Sequence, residues 1–398
     1  MELAELTALL TPEGLRLVDE LGALDGTDEV AAAVSRLRAS GLSPDLVAAA
    51  VGQARLRTRA RAKFGPFADR MLFTRAGLEQ ATRLEVGARH AGRFRDAGIA
   101  RVADLGCGIG GDSLAFAGIG LDVLAVDADE VTAALAAYNL APFGESATVR
   151  HARAEDVDMT GMDAVWLDPA RRTAGHTETS RVAAGEWSPP LDWVWDLAAR
   201  MPAGVKLGPA FDRALIPREA EAQWISVDGS TIELVVWTGS LARPGIHRAA
   251  LVIRGGTAAE LTAGGDADDA PVRELGEYLH EPEGAVIRAR LIGEVARSLD
   301  AGMIDDKIAY LTSDAPAQGP AADFVQSFRV REQLPNDTKA LAKALRERGI
   351  GRLEIKKRGV DLDPATLRTK LRLRGDTSAT LIVTRVGTRR LTLLADRV

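Results

Sequence analysis

Apolar residues recur along this chain at two different periods, and the switch between them marks its organisation. Through roughly the first 63 positions the spacing is helical, with Leu15, Leu17, Val18 and Leu21 followed by Leu46, Val47, Ala50 and Val51. Thr11-Pro12-Glu13 and Ser43-Pro44-Asp45 each offer a capping hydroxyl followed by proline at the first helical position, so 1–73 reads as a helical region. Short apolar runs then take over at 102–105, 121–126, 148–152, 164–167 and 205–207, separated by helical stretches such as the alanine-rich 130–139. Such alternation predicts an α/β domain with a parallel sheet over 74–265, introduced by a helix from 73 through 91. Residues 232–237 and 248–253 read as an antiparallel hairpin completing that sheet, and 257–270, with Gly264-Gly265, Asp266, Asp268 and Asp269, as a flexible acidic loop. A connecting region over 266–325 follows, helical at 281–299 with a strand at 307–311. The mixed run from 281 on reads as a small separate layer, with further strands at 324–330, 353–357, 380–384 and 390–394 and helices at 338–348 and 364–373, and 326–398 as its α+β domain.

The break after the first apolar run carries the chemistry. Asp104-Leu105-Gly106-Cys107-Gly108-Ile109-Gly110-Gly111-Asp112 is a strand, a glycine loop and the start of a helix. Glycines here let the backbone turn tightly and approach a ligand, and the helix N-terminus offers N–H groups. The spacing suits a dinucleotide fingerprint through Gly106, Gly108 and Gly111 as well as the Gly106-x-Gly108-x-Gly110 loop of methyltransferases. Asp104 separates the two, because its carboxylate would repel a pyrophosphate and attract the ammonium of a methionine moiety, which favours S-adenosylmethionine. Asp127, with Ala128 behind it, ends the second strand where a ribose diol is held. Asp168-Pro169 ends a further apolar strand at the sheet edge where the methyl acceptor belongs.

These residues carry a resemblance. From about Thr74 to Asp212 the chain resembles the class I S-adenosylmethionine-dependent methyltransferases, and among them the trimethylguanosine synthase-like RNA methyltransferases. The shared pattern is Asp104 to Gly111, Val126-Asp127, Asn139 with Phe143-Gly144, and Asp168-Pro169. The tail, from Leu353-Glu354-Ile355-Lys356-Lys357-Arg358-Gly359 through Arg372-Leu373-Arg374-Gly375-Asp376, is similar to the THUMP-like module appended to a bacterial branch of these proteins. The resemblance implies a Rossmann-like sheet and S-adenosylmethionine held by Asp104, Gly106, Gly108, Gly110, Gly111, Asp112, Asp127 and Ala128. It further implies a helix near Thr74 closing over the methionine end, although a capping threonine has the same sequence signature. An acid usually meets the adenine after the third strand; Arg153 stands near that place, which leaves backbone groups, Glu155 or Asp156. In amine-methylating relatives the acid is followed by Pro-Pro and an aromatic, whereas here Ala170 and Arg171 follow Asp168-Pro169. A guanidinium can also stack on a base, so Asp168, Pro169 and Arg171 are the catalytic candidates. Arg171 and Arg172 either hold a phosphate or pair with Asp163 or Glu178.

Composition sharpens the division of labour. The 398 residues, 46% hydrophobic, suffice for two or three domains. The net charge of −6 conceals a split, with +10 over residues 329–398 and −16 over the rest. A basic module on an acidic body suits a polyanion partner, with Lys356, Lys357, Arg358, Arg372 and Arg374 as the residues to meet RNA; docking on the acidic body is the alternative. Residues 55–64 alternate cations with small side chains and read as an RNA path or a solvated helix face. Trp187, Trp193 and Trp195 share no helical stripe, and either pack under the sheet or stack on bases. No apolar run approaches membrane length and the N-terminus is acidic, so a cytoplasmic protein without a membrane partner is expected. Cys107, the single cysteine, has no partner for a disulfide and no Cys or His cluster for a metal, and reads as an apolar filler behind the loop. The expected function is methylation of RNA at a base amine such as guanine N2. A small-molecule methyltransferase and a noncatalytic RNA-binding protein that retains the fold are the rivals.

Overall fold

The computed structural model describes residue 1, residues 3–171 and residues 187–398, in two compact units: Met1–Leu207 with Val236–Ala242, and Gly208–Val235 with Arg243–Val398.

The first unit opens with α1 (Leu3–Leu9), α2 (Pro12–Leu21), α3 (Thr27–Ala39) and α4 (Pro44–Phe64). Both proline-marked starts are capped as expected: the Thr11 hydroxyl accepts the Gly14 N–H at 3.0 Å and that of Ser43 the Leu46 N–H at 3.3 Å. Several cations of 55–64 are committed to the fold. Buried Arg57 donates to the Met71 carbonyl (2.9 Å) and pairs with Asp19 (2.7 Å), while Lys63 Nζ donates to the carbonyls of Leu78, Glu79 and Ala81, each at 2.8 Å. One turn earlier on α4, Gln53 exchanges hydrogen bonds with both the carbonyl (2.6 Å) and the N–H (2.9 Å) of Phe73. The helix expected from 73 through 91 is two helices, α5 (Arg75–Gln80) and α6 (Leu84–Asp96), because the chain turns extended at Ala81; Thr74 caps α5 by accepting the Gly77 N–H at 2.9 Å.

The α/β alternation follows: β1 (Arg101–Leu105), α7 (Gly111–Gly118), β2 (Asp122–Asp127), α8 (Glu130–Leu140), β3 (Ala147–His151) and β4 (Ala164–Leu167). Then come the short strands β5 (Ala170–Arg171) and β6 (Trp187–Ser188), α9 (Leu191–Ala198) and β7 (Ala203–Leu207). The strands line up as β7-β4-β1-β2-β3, all parallel, so the order reverses between β1 and β4 and opens a crevice at their C-terminal ends. Trp166 fills the core behind it, its ring 4.5 Å from His90, 6.0 Å from Phe116 and 5.8 Å from Trp237. Gly204 lies against both indoles; a Cβ there would come within 2.6 Å of Trp166 and 2.8 Å of Trp237.

The second unit contains β8 (Glu221–Val227), the start of β9 (Ser230–Thr238), β10 (Arg248–Arg254) and β11 (Thr257–Ala263), in the order β11-β10-β8-β9. Here the sequence reading needs correction. β8 was not anticipated, and by lying between β9 and β10 it replaces the expected hairpin; β10 runs parallel to β8 and antiparallel to β11. Half of the expected acidic loop is strand β11, whose Glu260 is drawn in by Arg243 at 2.6 Å. Next are β12 (Tyr278–Pro282), α10 (Gly284–Arg288), α11 (Ile292–Ser298), β13 (Gly302–Asp305) and β14 (Ile308–Ser313), so 281–299 is a strand end and two helices, not one helix. The chain closes with β15 (Val325–Gln333), α12 (Thr338–Glu347), β16 (Ile350–Lys357), α13 (Pro364–Leu371), β17 (Thr377–Val386) and β18 (Arg389–Arg397). These last strands share one sheet with β12, β13 and β14, ordered β13-β14-β12-β15-β18-β17-β16. Period-two alternation splits its apolar residues. Leu381, Val383 and Leu394 meet Leu341, Leu345, Leu367 and Leu371 of α12 and α13, while Ile382 and Leu393 join Phe328, Leu279 and Tyr310. No described helix is long and apolar enough to cross a membrane.

Candidate functional site

Three acids stand at the C-terminal ends of neighbouring strands. Asp127 ends β2, Asp104 lies one residue before the end of β1, and Asp168 directly follows β4. Asp104 is 1% exposed; one of its oxygens accepts the Ser113 hydroxyl at 2.5 Å, and the other, Oδ1, has no partner among the described residues. Burial, reinforced by the neighbouring Asp112, pushes its carboxyl up to about 8. Asp112 goes the other way. Burial opposes its ionisation, but Lys206 at 3.7 Å and the bonds from His90 (2.9 Å) and Thr82 (2.7 Å) outweigh it and bring the carboxyl down to about 2. Lys206, on β7, also donates to the Thr82 hydroxyl at 2.9 Å and reaches Asp168 Oδ2 at 2.5 Å. His90, Asp112, Lys206 and Asp168 thus form one chain of contacts that fixes the Asp168 carboxylate at the mouth of the crevice.

The glycine loop is built against this cluster. Gly106, Gly108 and Gly110 have φ of +88°, +57° and +87°, and Gly110 is the left-handed cap at the start of α7. A Cβ on Gly106 would sit 2.9 Å from the Asp168 carbonyl, so glycine permits the loop and the Asp-Pro corner to touch. Gly108 and Asp129 each donate a backbone N–H to Asp127, at 2.9 Å, and burial raises the carboxyl of Asp127 against those bonds. Asn139 on α8 donates to the carbonyls of Ile109 (2.9 Å) and Leu72 (3.0 Å), which fixes the middle of the loop to the segment after α4. Cys107 is buried, and burial pushes its thiol well up, as an apolar filler behind the loop requires.

The other expected residues are distributed unevenly. Ala128 is exposed, its carbonyl 3.1 Å from His151 Nε2. Glu155 is engaged by Arg153 at 2.8 Å, and Asp156 is exposed in the turn after β3. Pro169 is buried, and the Arg171 backbone pairs with Trp187 across β5 and β6. Arg172 and Glu178 lie outside the described residues, and Asp163 is taken up by Arg101, whose backbone N–H it accepts at 2.8 Å. Trp187 is buried and Trp193 and Trp195 are half-buried. In the tail, Lys357, Arg372 and Arg374 are exposed, but Lys356 and Arg358 are drawn onto Glu281 at 2.6 and 3.2 Å. Sequence reasoning passed over Lys206, His90, Thr82 and Ser113. Two of them left a signal: a lone lysine inside an otherwise apolar strand, and a histidine on the buried stripe of α6 formed by Val86, Ala91 and Phe94.

Comparison with known proteins agrees with this architecture. Residues 325–397 match the THUMP domain-like family, and residues 2–60 match a family described as a domain of unknown function. Relatives from two strains of Mycobacterium tuberculosis, CDC 1551 / Oshkosh and ATCC 25618 / H37Rv, are each 35% identical over 341 residues, covering 83% of this chain and 91% of theirs. Both are named uncharacterized S-adenosylmethionine-dependent methyltransferases. A crystal structure from Porphyromonas gingivalis W83, provisionally named a methyltransferase, shares the fold with a TM-score of 0.70 at 20% identity, covering 94% of this chain and 99% of its own. The Rossmann-like sheet with its glycine loop and three strand-end acids therefore sits in a chain related to those methyltransferases along most of its length; the chain belongs to the S-adenosylmethionine-dependent methyltransferase family and carries a THUMP-like module at its C-terminal end.

Proposed function

We propose that the protein methylates RNA at a base amine such as guanine N2, as a trimethylguanosine synthase-like enzyme, with the basic C-terminal module presenting the RNA. The observation that carries this reading is an acid paired with a lysine beside the glycine loop, Asp168 with Lys206 at 2.5 Å, in a chain whose residues 329–398 carry +10.

S-adenosylmethionine fits the residues present. The unpartnered, buried Oδ1 of Asp104 is a place for the methionine ammonium, which would draw the proton off that carboxyl. Asp127, with lone pairs left after its two backbone bonds, suits the ribose diol beside Ala128, and Gly106, Gly108, Gly110 and Gly111 clear the backbone for close approach. Asp156 is the better placed acid for the adenine amine, because Glu155 is engaged by Arg153. Asp112, with both oxygens in use, acts by orienting Lys206. Bound there, the cofactor supplies an electrophilic methyl group on a sulfonium.

Positioning of the acceptor contributes most to such a displacement, and a strong base is optional. Held in place by Lys206, the Asp168 carboxylate accepts one N–H of an acceptor amine and takes up the proton that the amine must lose. Pro169 fixes the corner backbone, and Arg171 stands where relatives place an aromatic. The test is incubation of the full chain with methyl-labelled cofactor and RNA from cells lacking the protein, followed by digestion to nucleosides. Label in methylated guanosine is expected. Label in another nucleoside would discard guanine, and unlabelled RNA despite intact cofactor binding would move the acceptor to a small molecule.

A further inference from the structure

The cations of the THUMP-like module sort by element. Those on its strands are mostly consumed: Lys356 and Arg358 by Glu281, Arg397 by Glu354 at 2.7 Å, Arg331 by Asp396, and Arg385 by the Gly359 carbonyl at 3.1 Å. Most of those on the helical layer are not, Arg348 at the end of α12, paired with Glu332 at 2.6 Å, being the exception. Lys339 and Arg346 on α12, Arg368 and Lys370 on α13, and Arg372 and Arg374 just beyond it are all exposed and have no side-chain partner among the described residues. The two helices pack side by side over the sheet through Leu341, Leu345, Leu367 and Leu371, which turns their polar faces outward together. Nearby acids do little to neutralise that face: Asp337 and Asp363 are spent capping the helix starts, and Glu347 sits near Lys343 at 3.8 Å.

One of these positions is held at a cost. Arg372 is the C-terminal cap of α13 with φ +46° and ψ +53°, a left-handed conformation that glycine adopts freely and other residues do not. An arginine stands where glycine would serve the fold better. The helical layer also lacks any aromatic side chain, so it offers phosphates a row of charges and bases no stacking platform.

We propose that the outer face of α12 and α13, extended by Arg372 and Arg374, grips the phosphate backbone of RNA without regard to sequence, leaving base selection to the Asp168 corner. This rests on the RNA reading above. The experiment is a salt titration of the full chain against two fluorescently labelled RNA hairpins of equal length and unrelated sequence. Both hairpins are expected to bind equally. Replacing Lys339, Arg368, Lys370 and Arg372 together by alanine should weaken binding at least ~10-fold and flatten the slope of log affinity on log salt by about 3, whereas Arg329→Ala/Arg389→Ala on the strands should hardly change it. Arg372→Gly should raise the thermal midpoint while weakening binding, the reverse of what a helix-stabilising role would give. Wild-type affinity in the quadruple variant, or strong preference for one hairpin, would overturn the proposal. Failure of the wild-type chain to bind either hairpin would instead remove the RNA reading on which it rests.

Discussion

Lys206 Nζ lies 2.5 Å from Asp168 Oδ2, and through Thr82 and Asp112 the same lysine reaches the helix that begins at the glycine loop. The Asp168-Pro169 corner and the helix after the glycine loop thus share one cation. Lys206→Met should leave two carboxylates without it, lowering label transfer to RNA by at least ~10²-fold and moving the acid limb of its pH profile upward; Lys206→Arg should restore part of the rate. Asp168→Ala should lose rate similarly while cofactor affinity stays nearly intact. Wild-type turnover in either Lys206→Met or Asp168→Ala would show that the acceptor sits elsewhere.

Asp127 accepts two backbone N–H groups at the tip of β2 and is assigned to the ribose. Asp127→Ala should weaken S-adenosylmethionine binding by about 1.5–3 kcal/mol, the range for hydrogen bonds to a charged group. Calorimetry on the folded variant decides the matter; unchanged affinity removes the ribose assignment.

Asp104 should make cofactor binding pH-dependent. Its carboxyl, at about 8 in the folded protein against 3.8 for an ordinary aspartate, keeps an extra proton on the folded chain between those values. The stability this group contributes is therefore greatest below the lower value and declines as pH rises toward the higher one. An ammonium against Oδ1 reverses the preference, so cofactor binding should release a proton near neutral pH and tighten as pH rises to about 8. Asp104→Asn should raise the thermal midpoint of the unliganded protein at neutral pH, weaken cofactor binding and abolish the proton release. Calorimetry in buffers of different ionisation heat measures that release, and its absence in the wild type would take the ammonium away from Asp104.

His280 provides an independent acid-sensitive element. It is fully buried on β12 between the hydroxyls of Ser327 and Ser313, each 2.8 Å away, and burial lowers it from 6.5 to about 4. The unfolded chain binds the proton first, so stability present above pH 6.5 should be lost as pH falls toward about 4. Urea unfolding at either end of that window should show a smaller loss in His280→Gln than in the wild type.

Gly204→Ala should destabilise the protein by about 1–3 kcal/mol, since its methyl would overlap Trp166 and Trp237 in a closed core. An unchanged urea midpoint would mean that the two indoles can move apart.

What was legible in the sequence was whatever depends on neighbours along the chain. The glycine loop, the strand-end acids and the proline-marked helix starts are local patterns, and each lies where its spacing put it. Strand β8 was missed because Glu221, Gln223 and Ser226 interrupt its apolar period; Glu221 is buried there because Arg243, from a separate segment, meets it at 2.5 Å. Lys356 and Arg358 were expected at the RNA, but Glu281, which holds both, is 75 and 77 positions away from them. A charge count cannot see such partners, and Lys206 escaped for the same reason.

The segment between α4 and α5 is gripped from three sides: by Arg57 at Met71, by Asn139 at Leu72 and by Gln53 at Phe73. Asn139 holds Ile109 of the glycine loop with the same amide. The N-terminal helices are accordingly the mould in which the glycine loop sets. A shortened enzyme beginning after residue 60 would retain every residue assigned to the chemistry and lose the shape that makes them useful, and a foreign N-terminal region grafted onto this sheet would succeed only if it brought its own grip on Met71, Leu72 and Phe73.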